Sequence, residues 1–210
     1  MTSVAYRFTL CSPLAISTGR PGTATDATLP RLSDGRPYIP ATAVKGAARL
    51  AATQALLSAS ARPAAAPATR ELLVATFGDE RSAGLLHFQA AIPVAGAETA
   101  TRTMVKLTDV RVADEGALTA VEALLPLDPT THDEPVVLSG SVSMLPHHTA
   151  DPLAAPALGC ALIGIAAISS FGLRTSRGLG QVAPALPEAD ADEYVKAALE
   201  RIEAAVEEGS

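Results

Sequence analysis

Glycine and arginine are concentrated in residues 172–182, directly after an apolar run over residues 161–170. Three glycines and two arginines fall within nine residues, namely Gly172, Arg174, Arg177, Gly178 and Gly180. Because glycine reaches backbone conformations that other residues avoid, the N–H groups of such a loop can form an anion nest. Guanidinium groups beside the nest can bind phosphate through paired hydrogen bonds. The stretch therefore predicts either a reader of a phosphate backbone or a tight turn with solvated arginines.

Two further basic residues, Lys45 and Arg49, lie near the start of a predicted helix over residues 41–59. A spacing of four residues places them on one helix face, and the N-terminus of a helix attracts anions. On spacing alone, a solvated helix face explains the pair equally well.

The segment over residues 12–40 is rich in proline and glycine and has little periodicity. An ordered loop of this length in a small domain usually has a function. It contains two aspartates with different expectations. Asp34 precedes Gly35 and predicts a turn, whereas Asp26 is either a functional carboxylate or a residue that shapes the loop.

The histidines and cysteines offer weaker signals. His147 and His148 suggest acid–base chemistry, but adjacent side chains seldom converge on one atom, so a solvated loop pair is the favoured interpretation. His87 and His132 read as a strand residue and a loop residue. Cys11 and Cys160 lack metal-ligand spacing, and both are expected to be buried thiols.

Composition and charge limit the possible classes of protein. Hydrophobic residues make up 48% of the 210 residues and aromatics only 3%, and the net charge is −6. Eight acids and two bases lie from residue 188 onward, so the rest of the chain, with 14 of each, is neutral. A neutral body with basic patches is compatible with phosphate binding. No membrane span or signal peptide is apparent, which predicts a cytoplasmic protein.

The hydrophobic pattern predicts an α+β fold. Strands are expected over residues 4–11, 83–94, 136–144 and 178–183, and a second long helix should end near residue 170. Residues 59–68 predict a surface linker and residues 70–77 a short helix. Residues 104–125 predict a hairpin-like insertion, with strand-like segments at 105–107 and 110–112 and a turn at 114–116. Four strands and two crossover helices indicate a ferredoxin-like (RRM-like) βαββαβ sandwich. The predicted boundaries are a domain over residues 1–187, with its insertion at about 100–134, and an acidic amphipathic helix within 188–210.

Three separated motifs give the chain a family resemblance. They are GRPYIPATAVKG at residues 35–46, VRVADEGAL at 110–118 and FGLRTSRGLGQV at 171–182. The first resembles the entry to helix one of the RAMP superfamily, and the third resembles its glycine-rich signature. The second resembles the thumb-like insertion of the Csm/Cmr-type backbone subunits of type III CRISPR effector complexes. The resemblance spans residues 4–183 and excludes the acidic tail.

The resemblance implies a subunit that polymerises along a crRNA guide, together with other effector subunits, and binds complementary single-stranded target RNA. The guide contacts implied by position are Arg20, Lys45, Arg49, Arg174, Ser176, Arg177, Gly178 and Gly180. Met104 and Val112 are possible thumb wedges, although a core role is the stronger interpretation for both.

The same resemblance implies that Asp26 cleaves target RNA beside the thumb, holding Mg²⁺ or another divalent cation and helping to place a 2′-hydroxyl for in-line attack. Two alternatives stay open. One is a non-catalytic scaffold subunit of the same complex, and the other is a ferredoxin-like enzyme whose glycine loop binds a nucleotide.

Overall fold

The computed structural model describes residues 2–23, 25–59, 65–107, 113–128, 131, 133–186 and 191–208. The strands are β1 (Ser3–Leu10), β2 (Leu86–Phe88), β3 (Ile92–Pro93), β4 (Thr99–Leu107), β5 (Ala113–Leu124), β6 (Val137–Met144) and β7 (Val182–Ala185). The helices are α1 (Ala41–Ala59), α2 (Ala65–Phe77), α3 (Ala154–Ala166) and α4 (Ala191–Glu208).

The main sheet has the strand order β2-β6-β1-β7, and all of its pairings are antiparallel. The predicted second strand is divided into β2 and β3, which both pair with β6. With these two counted as one, the first strand lies between the third and the fourth, which is the order of a ferredoxin-like βαββαβ sheet. The predicted fold class is therefore confirmed.

One face of the sheet carries the main core. In β1 every second residue is buried, because successive side chains of a strand point to opposite faces: Val4, Tyr6, Phe8 and Leu10. Helices α1 and α3 pack closely against each other beneath this face, since a Cβ at Gly164 of α3 would overlap the carbonyl oxygen of Ala48 in α1. Small residues at this crossing thus let the two backbones approach.

Helix α2 begins at Ala65, although the sequence predicted a surface linker as far as residue 68 and a helix only from Arg70. Ala65, Ala68 and Leu72 are buried, and α2 packs on α3. For residues 65–68 the linker prediction was wrong, because an Ala/Pro-rich sequence can also form a helix where it meets an apolar neighbour. Residues 60–64 of the predicted linker lie outside the described residues.

The predicted C-terminal helix is present as α4 and packs on α3 and α2. Its buried residues are Ala191, Ala198, Ile202 and Val206, which join the main core. A Cβ at Gly159 of α3 would overlap the carbonyl oxygen of Tyr194, so α3 and α4 are also in close contact. No helix in the described part of the chain is long and apolar enough to cross a membrane.

The insertion is a two-stranded antiparallel hairpin of β4 and β5 that does not belong to the main sheet. The turn predicted at residues 114–116 was wrong, because these residues lie within β5. They fall in an irregularity of the ladder, between the pairs Val105–Leu118 and Leu107–Ala113, so the strand bulges there instead of reversing its direction. The predicted strand over 110–112, including Val112, lies outside the described residues, as does His132.

Candidate nucleic-acid interface

Three segments meet at one end of the domain: the loop after β1 (residues 11–40), the glycine loop (residues 171–181) and the β4–β5 hairpin. We call this region the loop edge. A second apolar cluster joins them and is separate from the main core. It consists of Ala15, Ala27, Val121 and Ala123, with Met104 and Leu179 packed against it. The segments that carry the predicted site residues therefore form one packed unit.

The glycine loop is fixed to the loop after β1 by backbone hydrogen bonds. The N–H of Leu173 donates to the carbonyl of Ala15 at 2.7 Å, and the N–H of Gly180 donates to that of Pro13 at 2.8 Å. Gly172 and Gly180 both have positive φ, and a Cβ at either would overlap a backbone carbonyl oxygen, that of Ala15 and of Phe171 respectively. These two glycines are thus required by close packing as well as by conformation.

Between these anchors, the loop projects a single short helical turn, Thr175–Arg177, towards solvent. Arg174 before it and Gly178 after it both adopt the left-handed conformation, with φ of 59° and 80°. Left-handed backbone is uncommon for a residue other than glycine, and at functional sites it marks a conformation imposed by the surrounding structure. Arg174 is the one such residue in the described part of the chain.

The arginines of this turn are available to a ligand. Arg177 and Ser176 are exposed and Arg174 is half-buried. Neither arginine forms an ion pair with any residue that the structure describes. Gly180, by contrast, is buried and closes the loop. Its contact with RNA stays a prediction, as do those of the exposed residues.

The other predicted guide contacts lie on neighbouring segments. Arg20 is exposed in the loop after β1, following Gly19 with its positive φ. Lys45 is half-buried and Arg49 is exposed. Between them lies Ala48, which packs on Gly164 near the C-terminal end of α3, the end that leads into the glycine loop. The first turns of α1 therefore lie at the same end of the domain as the loop edge.

Asp26 lies beside the hairpin. Its N–H donates to the carbonyl of Ala120 in β5 at 2.7 Å, and its Oδ2 accepts from the N–H of Ala120, also at 2.7 Å. Ala27 then continues alongside Val121 as a short parallel bridge. Asp26 is exposed, and its other oxygen, Oδ1, accepts no hydrogen bond within the described part of the chain.

One carboxylate oxygen is thus free to meet a cation. The described residues contain no group of three histidine, cysteine or acidic side chains that could hold a metal ion. The donor chemistry fits Mg²⁺ only as a single oxygen contact, with phosphate and water completing its coordination shell.

An ion pair between an exposed arginine and a half-buried glutamate, missed by the sequence analysis, links the loop to the hairpin. Glu122 of β5 is bonded to the guanidinium of Arg31 and accepts from the N–H of Leu29 at 2.9 Å. Partial burial favours a higher pKa for the Glu122 carboxyl, but these bonds outweigh it and hold its pKa below the usual value. Arg31 also donates to the carbonyl of Gly35 at 2.8 Å. The sequence hints at this pair only through the basic residues Arg31 and Arg36, which lie close together in the loop.

The remaining predictions have mixed outcomes. Asp34 forms the expected turn: its carboxylate accepts from the N–H of Arg36 and from its Nε at 2.8 Å, which lower its pKa. Met104 packs in the apolar cluster, which favours its core interpretation. His147 and His148 form a surface pair, with ring centroids 4.1 Å apart. Cys160 is buried, but the prediction for Cys11 was wrong, because the residue follows β1 at the surface.

The protein is thus of the class of ferredoxin-like domains with a hairpin insertion beside a glycine loop. In the described part of the chain, the arginines of that loop form no ion pair. The model of the RAMP superfamily matches residues 7–183, and the chain belongs to this superfamily. Comparison with curated proteins finds no match.

Two solved structures are similar in fold. One is a chain from the cryo-EM structure of the type III-B Cmr-beta in its apo state, with TM-score 0.63 and 11% identity over 89% of this chain and 98% of that one. The other comes from the type III-B Cmr-beta bound to cognate target RNA, with TM-score 0.52 and 16% identity over 88% of this chain and 58% of that one.

Proposed function

We propose that the protein is a guide-binding backbone subunit of a type III CRISPR ribonucleoprotein and that it cleaves target RNA beside its hairpin. The observation that carries the proposal is the apolar cluster that joins the glycine loop, the Asp26 loop and the hairpin into one unit. A surface that grips one strand and a carboxylate that acts on another need such a fixed relation. The likeness to Cmr-beta chains, one from a target-bound structure, supports this assignment.

The grip on the guide is electrostatic. Arg20, Arg174 and Arg177 carry charges that the described acids do not neutralise, and the turn between Arg174 and Gly178 presents backbone N–H groups beside them. Phosphate contacts of this kind carry no sequence information, so one surface serves any guide. Successive copies along the RNA, and contacts with other subunits, follow from the proposal.

The proposed cleavage is a transesterification within the target strand. A 2′-oxygen forms a bond to the adjacent phosphorus and loses its proton to solvent, while the bond from phosphorus to the 5′-oxygen breaks and that oxygen takes a proton from water. The products are a 2′,3′-cyclic phosphate and a 5′-hydroxyl. Asp26 orients the reacting strand from its position in the loop beside β5, and a bound Mg²⁺ would offset the charge of the phosphate.

Asp26→Asn is the sharpest test, because an amide oxygen can still accept from the N–H of Ala120 while the charge is lost. In the purified guide-bound assembly with Mg²⁺, the wild type should cut labelled target RNA at regular intervals. Asp26→Asn should bind the target equally well and cut at least 100-fold more slowly, on the order expected for losing a positioned catalytic group. Asp34→Asn is the matched control, since Asp34 serves only its turn. Unchanged cleavage by Asp26→Asn rejects the catalytic role.

A scaffold without catalytic activity is the second candidate, and one observation favours it: Oδ2 of Asp26 already has a structural partner in the hairpin. It is indicated if the wild-type assembly binds target RNA but never cuts it. The remaining alternative, an enzyme whose glycine loop binds a nucleotide, is distinguished by measuring RNA binding over a series of salt concentrations. Binding to an RNA backbone must weaken steeply as salt rises.

A further inference from the structure

A pocket of about 280 Å³ lies between the loop that carries Asp26 and the hairpin. Its polar lining consists of Thr23, Thr25, Thr28, Thr99, Thr101 and Glu122. Five hydroxyl groups around one small pocket are a chemical pattern that the proposed guide contacts do not use.

Three of these hydroxyls are free to bind a ligand. Thr28 interacts with Thr18 at 3.2 Å, and Thr99 accepts from Arg31 at 3.1 Å. The hydroxyls of Thr23, Thr25 and Thr101 form no hydrogen bond with any residue in the described ranges. Each offers one donor and two acceptor positions.

The pocket lies on one face of the hairpin, next to Asp26. Thr101 of β4 is paired directly with Glu122 of β5, so both side chains point to the same face. Ala27 points into the apolar cluster on the other face. Thr25 and Thr28, on either side of Asp26 and Ala27 in the chain, both line the pocket. Asp26 is bonded to Ala120 of β5 and is therefore next to the pocket without lining it.

We propose that this pocket receives the ribose of one target-RNA nucleotide beside Asp26, and that the threonine hydroxyls bind its 2′-hydroxyl. The proposal rests on the function proposed above and names the group that the site reads. A 2′-hydroxyl is both donor and acceptor, as are its partners, and it distinguishes RNA from DNA. Every ribonucleotide carries it, so recognition is independent of sequence. The volume, near the lower limit for ligand pockets, suits one sugar.

The test is a deoxy scan of binding. Guide-bound assembly carrying Asp26→Asn, which leaves the target uncut, is titrated with target RNAs that each contain a single 2′-deoxynucleotide at successive positions. Binding should weaken by about 3–10-fold at positions that recur at a regular interval, the size of one lost hydrogen bond. The added pair Thr25→Val and Thr101→Val, which keeps side-chain shape, should remove this sensitivity. It should lower the affinity for all-ribose target at least as much as a single deoxynucleotide does, because every copy then loses the contact.

Thr42→Val, at an exposed position on α1, is the control and should leave the scan unchanged. Equal melting temperatures of the variants show that each is folded. A flat scan with normal target binding overturns the ribose pocket but leaves the proposed function standing, as does a periodic scan that survives both valine substitutions. Assemblies that contain no RNA overturn the proposed function, and the pocket with it.

Discussion

The anchoring of the glycine loop leads to a prediction that compares two glycines two residues apart. Gly178 and Gly180 have similar positive φ, 80° and 72°. A Cβ at Gly178 would meet nothing within 4 Å, whereas one at Gly180 would overlap the carbonyl oxygen of Phe171. Gly178→Ala and Gly180→Ala therefore separate the cost of the backbone conformation from the cost of the overlap.

Left-handed backbone costs alanine about 1–2 kcal/mol, and both variants bear this cost. The overlap at Gly180 adds about 1–3 kcal/mol, as for overpacking of an interior, because the obstacle is backbone that cannot rotate away. At about 2–4 °C per kcal/mol for a chain of this size, Gly178→Ala should melt about 2–8 °C below the wild type. Gly180→Ala should melt a further 2–12 °C lower.

Thermal unfolding followed by circular dichroism provides the measurement, with amide hydrogen exchange over residues 171–181 as a local readout. Gly180→Ala should also speed exchange in the loop, since the N–H of Gly180 holds it to Pro13. Equal melting temperatures for the two variants would refute the assignment of Gly180 as the packing anchor of the loop.

Two further predictions concern charge at the loop edge. Arg174→Gly relieves left-handed strain and removes one cation. It should therefore raise the free energy of unfolding by about 0.5–1 kcal/mol and lower the slope of log affinity for RNA against log salt concentration by about 1. Arg201→Ala is the control, because Arg201 pairs with Glu71 on α2, and it should leave that slope unchanged; a slope unaltered by Arg174→Gly would contradict the guide contact. The lowered pKa of Glu122 gives stability that is present above its unfolded value of about 4.5 and is lost as pH falls through the folded value. Because Arg31 is exposed, solvent screens the pair, and Glu122→Gln should be only about 0.5–1 kcal/mol less stable at pH 7. The variant should also lose less stability in acid, as measured by denaturant titrations, and parallel pH profiles would count against this ion pair.

Periodic segments were predictable from the sequence, because their hydrophobic pattern and their burial have the same physical cause. The alternation of residues 4–10 defined β1, and the pattern of residues 41–59 gave the bounds of α1. The order of these elements was enough to indicate the ferredoxin-like sheet.

Features that depend on distant contacts were not predictable in the same way. Asp26 bonds to Ala120, 94 residues away, and nothing local to either residue specifies this pair. The left-handed conformation of Arg174 is imposed by anchors on both sides of the turn, although arginine alone disfavours it. The threonine pocket left a sequence trace in Thr23, Thr25 and Thr28 and in Thr99 and Thr101, which becomes informative only once the two segments are adjacent.

The position of β1 between β6 and β7 has a consequence for synthesis of the protein. Tyr6 and Ser139 of β6, which share a hydrogen bond, are 133 residues apart, and Ser12 and Gln181, which bond beside β7, are 169 apart. At about 5–20 residues per second, a ribosome needs on the order of 10–30 s between making the first strand and making its second neighbour. Until β6 is made the nascent strand has no sheet partner on either edge, and its other edge stays unpaired until β7 follows. The loop that holds the arginines closes only afterwards, so the growing chain would acquire its proposed affinity for RNA as one of its last properties.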